Sequence, residues 1–426
     1  MRYIIQTIGC QMNICQSDEI SKELNSKGLI KVLDRESADI IILNTCSVRA
    51  QAEQKAFSFL GRVCDLKQKN EAVKIIVIGC MAQRMKSKIK KRFKQVDLII
   101  GTDRETPEIV NQILQLININ NEVESPVEFL DLNTNNEVSK FVTITKGCSN
   151  YCSYCVVPFV RGKERARDFD EIIEECRNFS KQGAREVILL GQNVNSYNFN
   201  GFNFVDLLKE VSKISSIKRI SFMTNHPKDL TLDLIQTIAS FDKISKHVHL
   251  PLQSGSDEIL KKMNRNYTLA HYKNLISLLR QNIKNISITT DVIVGFPSET
   301  DEDFLKTLET IKEIAFDGLY VFKYSPRPNT LAATFIDDVS QEKKKERLAI
   351  ILKESNDISQ KIVAGMVNTK QTVLITAFNG RSLEGQTETG RKVFMEGGRE
   401  NIGKLCSVFI TSAKINSLFG EICNEI

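Results

Sequence analysis

Along the first 110 residues, short apolar runs alternate with stretches whose apolar positions recur every three or four residues, the pattern of a parallel sheet wrapped by helices. Strands are predicted at 3–7, 39–44, 74–78 and 97–100. After one more helix the chain turns polar and acidic through NININNEVES and NTNNE, and a linker is expected at 116–137. The alternation then resumes, with strands predicted at 141–145, 186–190, 217–222, 244–249, 286–294 and 318–324. Six such strand–helix units suggest an open or partial α/β barrel. A helix at 341–363 closes it, with Leu348, Ile351, Leu352, Ile358 and Ile362 as the expected core face. Beyond 367 come short β-like runs at 372–378, 393–396 and 405–410, separated by glycine-bearing turns, which fit a small β-barrel. The expected fold is therefore α/β: an N-terminal open parallel α/β domain at 1–115, a central partial (β/α)6 barrel at 138–366, and a small C-terminal β-barrel at 367–426.

Residues with chemistry to offer fall at the ends of the predicted strands. Directly after the first three come Gly9-Cys10, Thr45-Cys46 and Gly79-Cys80. The carboxyl ends of an open parallel sheet share one edge, where ligands bind, so three thiols from three separate loops are expected to converge. A second trio, Cys148, Cys152 and Cys155, is spaced C-x3-C-x2-C in the loop GCSNYCSYC that follows the 141–145 strand. A structural zinc ion is nearly always closed by four protein ligands, whereas an iron–sulfur cubane can be held by three and leave one iron open. On spacing alone, zinc completed by a distant cysteine and a redox Cys152–Cys155 pair stay as alternatives, though neither accounts for Cys148. Lys146 is placed to offset cluster charge, and Tyr154 either packs on a nucleoside beside the open iron or belongs to the core. Cys15, Cys64 and Cys176 sit on helical stretches, where core packing is the expectation. The run MKSKIKKRFKQV at 85–96 puts Met85, Ile89, Phe93 and Val96 on one helical face and its cations on the other, a solvated surface or one that meets phosphate.

Composition narrows the class. The 426 residues are 42% hydrophobic and 26% charged, ordinary for a globular chain of two or three domains. A formal charge of +6 permits nucleic-acid binding without demanding it. Its distribution says more: residues 1–110 carry 19 Lys or Arg against 13 Asp or Glu, and 111–140 carry 1 against 5. Eleven cysteines behind a start that reads as strand and turn, not as a signal peptide, argue against a disulfide framework. No apolar run approaches the ~20 residues of a membrane span. A cytoplasmic protein with reduced thiols and no membrane partner is expected.

After the barrel strands come polar loops that would rim one mouth: LLGQNVNSY at 189–197, MTNHP at 223–227, HLPLQSGSD at 249–257 and VGFPSETDEDF at 294–304. The C-x3-C-x2-C loop after the first strand of such a barrel resembles the radical S-adenosylmethionine (SAM) superfamily. With the second trio ahead of it and a small barrel behind, the whole chain resembles the methylthiotransferase family. The stretches GCQMN at 9–13, NTCSVRAQAEQKAFSFLGR at 44–62, GCMAQR at 79–84, CVVPFVRGKERAR at 155–167 and GQNVNSY at 191–197 are similar to the branch that acts on isopentenyladenosine beside the anticodon of tRNA.

The resemblance implies two [4Fe-4S] clusters. Cys148, Cys152 and Cys155 would hold the one whose open iron chelates SAM, and Cys10, Cys46 and Cys80 an auxiliary one that carries the sulfur to be methylated and transferred. It implies a tRNA substrate, an electron donor and a sulfur source outside the chain, and a monomer. By position, Gln192 and Asn193 fall where the superfamily binds the SAM amino group; Asn225, Gln253 and Gly295 follow later strands, and with Tyr154 complete the expected SAM contacts. Arg161, Arg165 and Arg167 follow the cluster loop, facing RNA phosphate, SAM carboxylate or solvent. Departures from the family pattern are Ala166 and Asn225, each where a serine is common, and Gln386 and Gly390 in place of the arginine and asparagine of a GRTxxN-type run in the last barrel. The alternatives are a methylthiotransferase for threonylcarbamoyladenosine and, from another class, a non-catalytic RNA-binding protein stabilised by metal.

Overall fold

The computed structural model describes residues 1–47, 50–102, 104–118 and 138–426. Its contacts divide the chain into two compact units. One starts at Met1 and takes in Lys146–Ser149 and Cys155–Glu164; the other holds Asn150–Tyr154 and Arg165–Ile426.

In the first unit β1 (Arg2–Ile8), α1 (Gln11–Ser26), β2 (Ile30–Lys31), β3 (Ile40–Thr45), α2 (Ala50–Lys69), β4 (Lys74–Gly79), α3 (Cys80–Arg92), β5 (Leu98–Ile100) and α4 (Thr106–Leu116) follow one another. The strands form an all-parallel sheet in the order β2-β1-β3-β4-β5. Strand side chains alternate between faces: Ile41, Leu43, Ile75 and Val77 pack against Leu60 and Val63 of α2 and Ile89 of α3. Ile40, Ile42, Ile76 and Ile78 pack against Ile20 and Leu24 of α1 and Ile109 and Ile113 of α4. Helices on both faces leave the sheet's carboxyl edge for chemistry. A short helix, α5 (Val157–Arg161), belongs to the same unit.

Two details of this unit differ from the sequence pattern. The helix expected to run from Met85 begins instead at Cys80 and ends at Arg92, with a kink at Met85 and Val96 beyond its end. Strand β2 is two residues long, too short to leave a period. The linker lies, from residue 119 onward, outside the described residues.

In the second unit β6 (Ser139–Thr143), α6 (Phe169–Lys181), β7 (Glu186–Leu190), α7 (Phe204–Ser212), β8 (Arg219–Phe222), α8 (Leu232–Ser240), β9 (His247–His249), α9 (Asp257–Lys262), α10 (Leu269–Asn282), β10 (Ser287–Val294), α11 (Asp301–Ile314), β11 (Gly318–Lys323) and α12 (Gln341–Ala364) make the barrel. β7 pairs in parallel with β6 and β8, and β10 in parallel with β9 and β11. A parallel bridge between Ile220 and Ile244 joins the two halves, so the strand order follows the chain, as a partial (β/α)6 barrel requires. Side-chain caps set the helix starts: Asp168 accepts from Asp170 and Glu171, and capping boxes pair Asn203 with Asp206 and Thr300 with Asp303. On α12, Ile351 and Ile358 are buried, but Leu352 is 42% exposed and is not part of the core face. One turn on from Leu348, which packs on the core, it falls on the flank of the arc and is left to solvent.

The chain ends in a closed five-stranded barrel of β12 (Lys370–Phe378), β13 (Leu383–Thr387), β14 (Lys392–Met395), β15 (Leu405–Lys414) and β16 (Ser417–Glu425), ordered β12-β13-β14-β16-β15. β13 and β16 were not anticipated. Their turn between β13 and β14 docks on the amino ends of the large barrel's strands: Lys246 N and Ser245 Oγ donate to Glu388 O at 2.9 and 2.8 Å, and Arg391 pairs with Asp317 at 3.0 Å. A Cβ added to Gly390, at φ +78°, would come within van der Waals contact of the His247 ring. Of the two departures from the family pattern, Gly390 lies in this turn and Gln386 in β13.

Candidate active site

Cys10 follows β1, Cys46 follows β3 and Cys80 opens α3 directly after β4, so three adjacent parallel strands deliver three sulfurs to one sheet edge. The approach is close enough to require glycine before Cys80. Gly79 sits at φ +95°, and a Cβ there would strike the Thr45 carbonyl oxygen. The Cys10 thiol is held down to about 5, by a hydrogen bond from Cys46 against burial and further by the charge of Arg161. Burial pushes the Cys80 thiol up, opposed by Arg161.

Arg161, at the end of α5, reaches this edge. Its Nε donates to Cys80 Sγ at 3.2 Å and a terminal nitrogen donates to Asn13 Oδ1 at 3.2 Å. Burial works against the Arg161 charge, and the sulfurs of Cys80, Cys10 and Cys46 outweigh it, so the guanidinium is held protonated. Asn13 is fixed in turn: its Nδ2 donates to Asn44 Oδ1 at 2.7 Å and to Thr45 O at 3.1 Å, and Asn44 Nδ2 returns a bond to Asn13 O at 2.9 Å. Among the described residues no three His, Cys, Asp or Glu side chains are grouped as ligands for one metal ion. A single ion draws thiolates in to about 2.3 Å, whereas a cubane takes one on each of three irons. Three thiols beside a fixed cation are a donor set that a cubane with one open iron would accept.

The other trio is positioned by different means. Cys148 N donates to Gly162 O at 3.1 Å, and Gly147, at φ +78°, leaves no room for a Cβ beside the Lys163 carbonyl. Cys148 and Cys155 group with the first unit and Cys152 with the second. In the second, Arg265 donates to Cys152 Sγ at 3.3 Å, Ser153 N donates to Met263 O at 3.0 Å, and Asn264 Nδ2 donates to Tyr151 O at 2.9 Å. Tyr154 packs against the cluster of Ile259, Met263, Phe296, Tyr324 and Ala332. Lys146 pairs with Glu105 at 2.6 Å. Arg167 is also committed, to Thr143 O at 2.8 Å and Glu175 at 2.7 Å.

The rim residues cluster at the carboxyl ends of the barrel strands. Asn193 is buried, with Nδ2 spent on Asp229 Oδ2 at 2.6 Å and Oδ1 without a partner; Asn225 spends Nδ2 on His249 O at 3.1 Å and likewise leaves Oδ1 unpaired. Two buried, orphaned carbonyl oxygens at the mouth fit a ligand that brings N–H donors, such as the amino group of SAM. Gln253, at φ +68°, bridges to β10 through Asp291 O and Ile293 N. Gln192 is half-buried beside Gly191, where a Cβ would strike Thr145 Oγ1. Gly295, at φ +68°, donates its N–H to Glu299 at 2.6 Å and makes room for the Lys344 stem.

Residues 142–311 match the model of the Radical SAM superfamily, and residues 2–101 match that of Uncharacterized protein family UPF0004. The chain is 52% identical over 422 residues to a tRNA-2-methylthio-N(6)-dimethylallyladenosine synthase of Endomicrobium trichonymphae, covering 99% of this chain and 100% of that one. The chain belongs to this synthase family. A second member, from Clostridium botulinum (strain Loch Maree / Type A3), is 42% identical over 98% of this chain and 96% of its own. Among solved structures, the radical S-adenosylmethionine methyltransferase TsrM of Kitasatospora setae, with cobalamin and a [4Fe-4S] cluster bound, shares the fold at TM-score 0.58 and 12% identity over 78% of this chain and 77% of that one. As a synthase of this family the chain is a radical SAM methylthiotransferase that acts on tRNA and uses SAM and [4Fe-4S] chemistry. No helix among the described residues is long and apolar enough to cross a membrane.

For a synthase of this family, sequence reasoning missed three features. Arg265, in the run KKMNRNYT, carries no spacing signal and is found only through its contact with Cys152. Asn13 is the third residue after Cys10, a local spacing that marks a side chain able to reach back to the loop. His249 and Asp291 meet across β9 and β10 at 3.3 Å, with Thr289 on the other histidine nitrogen at 3.0 Å. The first unit also carries a groove of about 630 Å³ lined by Gln6, Arg35, Gln54, Lys55, Phe59 and Arg62 among others. Arg35 and Arg62 both lie over the Phe59 ring.

Proposed function

We propose that this chain adds a methylthio group to carbon 2 of N6-isopentenyladenosine next to the anticodon, holding one [4Fe-4S] cluster on Cys148, Cys152 and Cys155 and a second on Cys10, Cys46 and Cys80. The observation that carries the two-site reading is the gathering of Cys10, Cys46 and Cys80 at one sheet edge beside the Arg161 cation. When bound, SAM and the clusters supply the radical that opens an unactivated C–H bond and the sulfur that replaces the hydrogen.

The chain's own residues bind and orient. Asn193 and Asn225 present carbonyl oxygens to the SAM amino group, with Gln192, Gln253, Gly295 and Tyr154 completing the pocket. Arg265 holds Cys152 in place. Arg35, Lys55 and Arg62 form no ion pair among the described residues and supply a surface for tRNA phosphate. The reading assigns cluster and sulfur handling to 1–115, radical generation to 138–366 and a β-barrel accessory role to 367–426. It requires an electron donor and a sulfur source from outside, and places a monomeric enzyme in the cytoplasm.

Anaerobic reconstitution tests it: about eight irons per chain are expected for two cubanes. Replacing Cys10, Cys46 and Cys80 together by alanine should leave about four, with SAM cleavage intact and methylthiolation lost. Four irons in both proteins would overturn the two-site reading. Persistence of the methylthio nucleoside in tRNA from a deletion strain would overturn the substrate.

A further inference from the structure

We infer that Arg161 is the resident counter-charge of the Cys10, Cys46 and Cys80 site and raises the reduction potential of the cluster held there, with Asn13 as its positioning partner. The inference rests on the two-cluster reading above. A guanidinium partly withdrawn from water, as Arg161 is, favours anionic company or a full set of acceptors. Arg161 has no carboxylate partner among the described residues; its hydrogen bonds go to Cys80 Sγ and Asn13 Oδ1. Sulfur is therefore its anion.

The local sequence delivers this charge with little freedom. Pro158 sits in the first turn of α5 and pre-sets its backbone. Val156 and Val160 pack against Cys80 itself, and the Val160 carbonyl accepts from Thr102 Oγ1. Gly162, at φ +75°, then ends the helix one residue past the arginine. So the side chain six positions after Cys155, the last cysteine of one trio, serves the other trio.

Cluster potentials follow net charge and hydrogen bonds to sulfur, and Arg161 contributes to both. A nearby cation stabilises the more negative, reduced cluster and so moves the midpoint upward. Arg161 touches a ligand and not the substrate, which makes it a positioning and tuning residue. Lysine would keep the charge but cannot hold Cys80 and Asn13 at once with a planar fork.

The test uses full-length chain in which Cys148, Cys152 and Cys155 are all alanine, so that only the other trio can take iron. Anaerobically reconstituted parent, Arg161→Lys and Arg161→Gln are compared for iron per chain and for the midpoint of the reduced-cluster electron paramagnetic resonance signal. The expected result is unchanged iron and a midpoint shifted negative in Arg161→Gln, with Arg161→Lys between it and the parent. Cluster loss in Arg161→Gln alone supports the same role, since Arg161→Lys differs from it mainly in charge. Equal midpoints in all three proteins, or cluster loss in both variants, overturn the inference while leaving the site standing. A parent that takes up no iron overturns the site itself.

Discussion

Arg265 donates to Cys152 Sγ at 3.3 Å while its Nε donates to the Tyr267 hydroxyl at 3.1 Å and a terminal nitrogen to Pro251 O at 3.3 Å. Three different acceptors on one fork tie the middle cysteine of the C-x3-C-x2-C loop to the barrel rim. Because Arg265 is buried and lies over the Tyr267 ring, Arg265→Met takes the donor from Cys152 Sγ and the Tyr267 hydroxyl, while Pro251 O keeps the Tyr267 hydroxyl at 3.1 Å. A loss of about 2 to 4 kcal/mol of stability follows. Arg265→Lys keeps the charge without the fork, and reductive cleavage of SAM should slow at least roughly tenfold, the effect of losing about 1.4 kcal/mol of positioning. Chromatographic quantitation of 5′-deoxyadenosine from dithionite-reduced protein checks it; an unchanged rate would show that Cys152 is placed by other contacts.

Asn225 and Asn193 differ in what their removal exposes. Asn225→Ala deletes an acceptor whose amide side serves only the His249 carbonyl. SAM affinity should fall roughly tenfold, the worth of one charge-assisted hydrogen bond, with iron content unchanged. Asn193→Ala also strips Asp229 Oδ2 of its amide donor, leaving Asp229 with Lys228 at 3.5 Å, so it should cost both affinity and stability. Equilibrium SAM binding beside iron analysis separates the two; normal affinity in both variants would remove these oxygens from the SAM site.

Gly295 tests how far the rim is shaped by packing. Its φ of +68° disfavours any side chain, and a Cβ would strike the stem of Lys344, which is fully buried and paired with Asp337. Gly295→Ala should destabilise by about 2 to 4 kcal/mol, combining backbone strain with overpacking. A denaturant midpoint equal to the parent's would show that Lys344 can move aside.

His226 sets a pH limit. Burial, with the charges of Arg265 and Lys228 beside it, lowers its pKa from 6.5 to about 2, and its Nδ1 accepts from Lys228 N at 3.2 Å. As pH falls below 6.5 the unfolded chain takes up a proton that the folded one refuses, so stability drops by up to about 1.4 kcal/mol per pH unit. His226→Asn keeps an acceptor for Lys228 and cannot titrate. Urea midpoints between pH 7.0 and 5.5 should fall less steeply in that variant; parallel slopes would rule His226 out.

Much of this molecule is legible in the chain itself. Apolar periodicity is a local property, and it marked four of the five strands of the first sheet, the six strands of the barrel and the cysteines at their ends. Short or glycine-bearing strands escaped it: β13 carries Gly385 and β16 carries Gly420, and each becomes a strand through the neighbours it pairs with in a closed barrel. Leu352 fits the helical period yet faces solvent, since the arc a helix buries is set by what packs on it.

The sequence by itself determined the supply of chemistry: two cysteine trios of different architecture, one in a single loop and one spread over three strand ends. Tertiary structure alone decided how that chemistry is conditioned. Arg161 read as one of three arginines near a cluster loop, facing RNA, SAM or solvent. It becomes the partner of Cys80 because α5 packs its valines on that cysteine, and its charge, half-withdrawn from water, meets the sulfurs there. Asn193 and Asn225 read only as polar rim residues. Which end of each amide is spent and which is left open depends on Asp229 and His249, 36 and 24 residues further along the chain. Burial and hydrogen-bond pairing are relations between distant segments, and no local pattern encodes them.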